Sequence, residues 1–210
     1  MLAAEKGPLR ILEVGTSTGY LGMMLRKQGH YVAGIDGCRE WAEKAREHYD
    51  VFHVADIEEF EFPYRGDFDY ILFADVLEHL RDPTAVLKHS LPSLKKSGKV
   101  IVSVPNIANL AIRLTLLLGR FDYTDRGILD RTHLRFFTLR SLKKMMLEAS
   151  CDIIEVVPTP LPVQIVFPIT EKGFFAPLHE ACYALVRLRK TMFAYQFVVK
   201  ARPNSSNRPS

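Results

Sequence analysis

Arg10-Ile11-Leu12-Glu13-Val14-Gly15-Thr16-Ser17-Thr18-Gly19 is a short apolar run ending in a glycine-bracketed loop. Tyr20 to Gln28 follows with helical spacing until Gly29 stops it. A buried strand that passes through a tight loop into a helix is the opening unit of a parallel α/β sheet, and the rest of the chain repeats its rhythm. Tyr31 to Ile35 reads as the second strand, Arg39 to Tyr49 as a helix, Val51 to Val54 as the third strand and Phe68 to Phe73 as the fourth. Asp82-Pro83 has the form of an N-cap with proline at the first helical position, and opens a helix to about Lys95. Ser97-Gly98 turns the chain into a fifth strand, Lys99 to Val104. Runs this continuously apolar belong to strands covered on both faces.

Beyond Val104 the alternation loosens. Asn106 to Gly119 is expected to form an amphipathic helix with Leu110, Leu114, Leu117 and Leu118 on one side. Thr138 caps a helix to about Ala149, Asp152 to Val157 is a strand, Ala176 to Arg189 reads as helical and Phe193 to Ala201 as the last strand. One domain over 1–210 is expected, with substrate-side inserts at 106–137 and 158–190 and a disordered tail at 203–210.

With 210 residues, 48% hydrophobic and 25% charged, the chain can bury a core without staples, and wholesale disorder is excluded. Three scattered cysteines, Cys38, Cys151 and Cys182, suit neither a disulfide framework nor a zinc site, and point to a reducing, cytoplasmic setting. The formal charge of +4 is too mild for a dedicated nucleic-acid binder, and no nucleic-acid motif is present. Met1 to Pro8 lacks an apolar targeting core, and no apolar run reaches a membrane span. Arg113, Arg120, Arg126 and Arg131 around the Leu110–Leu118 run leave peripheral membrane contact open, against the alternative of a helix packed on its own sheet.

The loop Gly15–Gly19 permits close approach of a ligand to the backbone, and Asp36, about 20 residues on, stands where an acid meets ribose hydroxyls. Two other readings weaken on inspection. The dinucleotide fingerprint fails because Ser17 occupies its first glycine position. Gly15-Thr16-Ser17-Thr18-Gly19 matches a nucleophile elbow literally, but the upstream strands and oxyanion loop of a hydrolase have no room before Arg10.

The segment Glu13 to Gly19 resembles motif I of class I S-adenosylmethionine (SAM) dependent methyltransferases, with Ser17 in place of the middle glycine. The resemblance runs on through Gly34-Ile35-Asp36-Gly37, Ala55-Asp56-Ile57, Phe68 to Ile71, Asp75 to Leu80 and Gly98 to Asn106. It implies a three-layer Rossmann-like α/β fold with a seven-stranded sheet, mostly parallel with an antiparallel last strand, and SAM as cofactor. It implies that Glu13, Gly15, Ser17, Gly19 and Tyr20 shape the methionine end of the pocket. Asp36 and Gly37 would serve the ribose, Asp56 and Ile57 the adenine, and Ala74 and Asp75 the methionine moiety.

Asp75, Glu78 and His79 stand at i, i+3 and i+4, so on a helix they share one face. Either His79 takes a proton from an acceptor hydroxyl, or the three residues hold a divalent cation that acidifies it. The segment is similar to the E-V-x-E-H motif of ubiquinone-type O-methyltransferases, where a metal is implicated; no metal is assigned on this basis. Asp130-Arg131-Thr132-His133-Leu134-Arg135 is similar to a stretch of sugar and small-metabolite methyltransferases. Asp130 and His133 are expected to orient each other, making His133 a second candidate base, and Arg135 is free to pair with an acid or an anionic acceptor. The reading is methyl transfer to a small-molecule acceptor, such as a hydroxyl of a sugar, a phenolic or quinone precursor or a lipid-linked metabolite. The alternative is a SAM-binding module that acts through a protein partner.

Overall fold

A computed structural model describes residue 5 and residues 7–160 and 184–204. Seven strands form one sheet: β1 (Arg10–Val14), β2 (Tyr31–Asp36), β3 (Val51–Val54), β4 (Phe68–Ala74), β5 (Leu94–Pro105), β6 (Cys151–Thr159) and β7 (Gln196–Pro203). Their order is β3-β2-β1-β4-β5-β7-β6, with β7 antiparallel to both neighbours and the other pairings parallel. The chain lays β2 and β3 on one side of β1 and then crosses to β4 on the other. That reversal opens a crevice above the carboxyl ends of β1 and β4, the place where open α/β sheets hold ligands.

The helices are α1 (Tyr20–Lys27), α2 (Arg39–Ala45), α3 (Pro83–Ser90), α4 (Leu110–Leu117) and α5 (Leu139–Glu148). The period-2 alternation of β1 divides the core. Ile11 joins Leu25, Val32, Ala45, Tyr49 and Leu72 on one face, while Leu12 and Val14 join Phe73, Leu87, Val102 and Met146 on the other. The capping signals hold where the sequence places them. Asp82 accepts from the Ala85 N–H at 3.0 Å, and Thr138 and Ser141 form a reciprocal capping box.

Several boundaries differ from expectation. The α3 helix ends at Ser90, because Leu91–Ser93 tightens into a 3-10 turn at Pro92, and β5 starts at Leu94 rather than after Gly98. The α2 helix gives way to a 3-10 turn at Arg46–His48. The last strand begins at Gln196, since Lys190–Phe193 is a short helix whose end is tied back by Asn106 and Asn109, both donating from Nδ2 to the Ala194 carbonyl. The helix expected over 106–119 is real but shorter, capped by Asn109, and none of its residues is buried. Residues 184–188 are helical. The remainder of the second insert, including most of the helix expected over 176–189, and the tail beyond Asn204 lie outside the described residues. No described helix is long and apolar enough to cross a membrane.

Candidate active site

The loop after β1 turns through three left-handed residues, Gly15, Ser17 and Gly19, at φ of 76°, 48° and 78°. Two of the three are glycine, for which this conformation carries no Cβ penalty. At Gly15 a second constraint acts: a Cβ there would lie 2.3 Å from Val76 Cγ2. The loop after β1 therefore leans directly on the segment after β4, and the two halves of the crevice are in contact.

Asp36, 6% exposed at the end of β2, is held under this loop. Its Oδ2 accepts from the Ser17 N–H at 2.7 Å, and its Oδ1 accepts from the Cys38 N–H at 2.8 Å. Oδ2 also accepts from Thr16 Oγ1 at 3.4 Å, so Oδ1 is the oxygen that keeps acceptor capacity suited to a ribose hydroxyl. Gly37 is exposed beside it. Asp56, exposed past the end of β3, accepts from the Glu58 N–H through Oδ1 at 2.9 Å and precedes the half-buried Ile57. Ser17 and Tyr20 are also exposed on this side. No described histidine hydrogen-bonds Ser17, as a nucleophile elbow would require of its base.

Glu13 is buried on the α1 face of β1, where Tyr49 donates to its Oε2 at 2.9 Å. Burial pushes its carboxyl up to about 7, the nearby Asp36 charge adds to this, and the Tyr49 hydrogen bond opposes it. Sequence reasoning missed Tyr49. Its ring lies where a Cβ on Gly22 would come within 2.3 Å and one on Gly34 within 2.8 Å. Two glycines in otherwise helical and strand segments were the available signal: each marks a close approach.

After β4 the chain does not enter an α-helix. Asp75 is left-handed at φ 55°, and Leu77–His79 is a 3-10 turn. Asp75, Glu78 and His79 consequently do not share a face, as an α-helix would have required. Asp75, following the half-buried Ala74, takes hydrogen bonds from Ser103 Oγ at 3.1 Å and from Gln196 Nε2, which fastens it to β5 and β7. Glu78 instead points inward, 1% exposed, and neither carboxylate oxygen has a hydrogen-bond partner among the described residues. Burial, with the charge of Asp75 second, pushes its carboxyl up to about 8.

The segment 130–135 is strapped across this turn, for the Leu134 and Arg135 N–H groups both donate to the Glu78 carbonyl at 2.9 Å. The strap brings the His133 ring to 4.8 Å from that of His79, and the ligand atoms of Glu78, His79 and His133 lie within 4.8 Å of one another. His79 Nδ1 sits 3.2 Å from the Thr132 carbonyl, and His133 Nδ1 sits 3.1 Å from the Ile128 carbonyl. A carbonyl can only accept, so both rings carry their proton on Nδ1 and present the Nε2 lone pair. Burial holds His133 below the ordinary imidazole range.

Asp130 does not hydrogen-bond the His133 ring as expected. Its Oδ1 accepts from Thr132 Oγ1 at 2.6 Å and from the Thr132 N–H at 2.8 Å, so it holds the residue that faces His79. Arg135 pairs with no acid among the described residues; its guanidinium donates to the Arg81 carbonyl.

The model of a family described as "Methyltransferase domain" matches residues 1–156. The chain belongs to that family. A ubiquinone biosynthesis O-methyltransferase of Xanthomonas axonopodis pv. citri is 29% identical over 135 residues, 61% of this chain and 56% of that protein. The match thus spans about half the length of this curated relative. A SAM-dependent methyltransferase structure from Archaeoglobus fulgidus superposes with a TM-score of 0.65 at 16% identity, covering 93% of this chain and 86% of that one. The [4+2]-cyclase SpnF shares the fold at a TM-score of 0.62 and 16% identity, covering 94% and 76%. At such identities the likeness shows the class I fold, and the chemistry has to come from the site.

The donor set also fits a divalent cation: an unpartnered buried carboxylate faces two imidazoles whose tautomers are fixed by backbone carbonyls, as outer partners of metal-bound histidines fix them. His133 joins this set in place of Asp75, whose carboxylate is engaged elsewhere.

Proposed function

We propose that the chain transfers a methyl group from SAM to a hydroxyl oxygen of a small-molecule acceptor. In this reading Glu78, His79 and His133 form the acceptor side of the site. The observation that carries it is the Glu78 carboxylate, buried without a hydrogen-bond partner among the described residues, beside two imidazoles that present Nε2. An uncompensated buried carboxylate is costly unless it takes a proton or a cation, so the cluster is built to bind one or the other.

When bound, SAM supplies a methyl group already activated by its positive sulfonium. The residues of the chain have two tasks. The first is orientation: Asp36 and Gly37 receive the ribose, Asp56 and Ile57 the adenine, and the loop Glu13, Gly15, Ser17, Gly19 and Tyr20 with Ala74 and Asp75 the methionine end. Holding donor and acceptor in line in a crevice that excludes water supplies much of the rate enhancement. The second is removal of the hydroxyl proton. His79 or His133, through its Nε2 lone pair, accepts it as general base. A divalent cation held by Glu78, His79 and His133 would supply Lewis acidity that makes the same hydroxyl easier to deprotonate. The names of the curated relatives favour a phenolic acceptor, as in ubiquinone biosynthesis. The inserts 106–137 and 158–190 are assigned to acceptor binding.

The test is methyl transfer to a panel of catechols, other phenols and sugars by wild type, His79→Ala and His133→Ala, each titrated in parallel with SAM. At least one variant should lose about 10²–10⁴-fold in turnover with SAM affinity nearly unchanged. Full turnover in both would remove the cluster from catalysis. SAM binding by the wild type without transfer to any acceptor would favour the partner-dependent binding module.

A further inference from the structure

The His79 ring is set from two sides. Its own backbone N–H donates to the Val76 carbonyl at 3.0 Å within the 3-10 turn, and its Nδ1 lies 3.2 Å from both the carbonyl and the Oγ1 of Thr132. That hydroxyl is itself committed. It stands 2.6 Å from Asp130 Oδ1, a separation in the range of a hydroxyl bound to a charged carboxylate, and the same oxygen accepts from the Thr132 N–H at 2.8 Å. A carboxylate only accepts, so the single hydroxyl proton of Thr132 points at Asp130 and its lone pairs turn toward His79. The ring nitrogen that faces them has to be the donor. Asp130, Thr132 and His79 thus form one directional series, carboxylate to hydroxyl to imidazole, which leaves the bare lone pair on Nε2.

His133 is placed differently. Its Nδ1 meets the Ile128 carbonyl at 3.1 Å, and no side chain among the described residues hydrogen-bonds its ring. His79 is exposed, whereas His133 is half-buried. An exposed ring returns an accepted proton directly to water. The series also depends on the strap. The Leu134 and Arg135 N–H groups, both on the Glu78 carbonyl at 2.9 Å, fix the height of 130–135 against the turn, and this brings Thr132 to a histidine 53 residues earlier in the chain. Holding a reacting group's tautomer and ring plane by an outer hydrogen bond is what separates a productive imidazole from a merely nearby one.

We propose that Asp130 and Thr132 are positioning residues for His79, and that this makes His79, rather than His133, the base of the reaction. The assignment rests on the methyl-transfer reading above. The acceptor hydroxyl gives its proton to His79 Nε2 as its oxygen bonds the methyl carbon, and the electron pair of the broken carbon–sulfur bond stays on the donor's sulfur. Thr132 and Asp130 touch neither acceptor nor donor. They act through the ring, by keeping the proton on Nδ1 and Nε2 turned outward.

The test combines steady-state methyl transfer to catechol acceptors with nitrogen NMR of the neutral His79 ring in the full chain. Thr132→Val keeps the branched shape and loses the hydroxyl. It should lower kcat about 10–100-fold, with the acceptor KM, SAM affinity and circular dichroism of the wild type. Thr132→Ser should restore turnover. The double variant Thr132→Val with Asp130→Ala should be no slower than the slower single variant, because Asp130 works through Thr132. The nitrogen shifts should place the proton on Nδ1 in wild type and Thr132→Ser, and partly on Nε2 in Thr132→Val. Wild-type turnover in Thr132→Val or in His79→Ala overturns the proposal. So does an unchanged tautomer in Thr132→Val, since the Thr132 carbonyl would then hold the ring unaided. A loss confined to KM, SAM binding or folding overturns it too, because Thr132 would then only brace the strap. If the nitrogen shifts change as stated but the wild type methylates no acceptor, the positioning series stands and the transferase reading alone falls.

Discussion

Two carboxylates of the candidate site, Glu13 and Glu78, are buried, and burial raises both, to about 7 and about 8. Their surroundings separate their roles. Glu13 has Tyr49 as a hydrogen-bond donor, while Glu78 has no donor among the described residues. For Glu13 the linkage has a definite sign. Between the ordinary carboxyl value of 4.5 and about 7, the unfolded chain releases this proton and the folded chain keeps it, so stability falls as pH rises through that window. Glu13→Gln lacks the titration. In chemical denaturation of the ligand-free protein, the variant should gain on wild type by about 3 kcal/mol across that window and stay level above it. A difference that is flat with pH would place the Glu13 pKa near the unfolded value. Asp36 supports a second expectation. Asp36→Ala should weaken SAM binding about 10–100-fold by calorimetry, through loss of charge-assisted hydrogen bonds to the ribose. An unchanged affinity would take Asp36 out of the pocket.

At the scale of elements, the glycines act through their neighbours. Gly22 on α1 and Gly34 on β2 leave the space that the Tyr49 ring fills on its way to Glu13. Gly22→Ala should cost about 1–3 kcal/mol in unfolding free energy, despite the better helix propensity of alanine, because a Cβ 2.3 Å from the ring forces Tyr49 to move. A neutral or stabilising effect would mean that the ring shifts freely. The 3-10 turn at Leu77–His79 is the other decisive element. An α-helix there would have put Asp75, Glu78 and His79 on one face. The left-handed Asp75 and the tighter turn instead send Asp75 toward Gln196 and Glu78 inward.

Over the molecule as a whole, Asn106 ties the start of the first insert to the chain entering β7. Asn106 is fully buried, donates to the Thr191 and Ala194 carbonyls at 3.3 and 2.9 Å, and accepts from the Ala108 N–H at 3.1 Å. It joins the end of β5, the foot of α4 and the chain entering β7. Asn106→Ala would take this partner from the Thr191 carbonyl and the Ala108 N–H, with Asn109 still donating to Ala194, and thermal or chemical unfolding should show a loss of about 2–4 kcal/mol. A loss under about 1 kcal/mol would mean that water replaces the amide.

What the sequence determined by itself was local in character. The glycine-bracketed loop after β1, the proline and threonine caps, and the continuous apolar strands depend on neighbours a few residues away, and they were legible together with the sheet they imply. The acid at Asp36 was legible for the same reason, since its distance from the loop is set by one helix and one strand. The tertiary structure decided what depends on contacts across the chain. The Glu78 carboxylate has no partner among the described residues, since the strap from 130–135 closes over it and uses the Glu78 carbonyl instead. Asp130 serves Thr132 rather than His133 because that strap sets which side chains meet. The leucines of α4 read as one apolar side by spacing alone, but spacing specifies a stripe and not what covers it, and among the described residues none of that helix is buried.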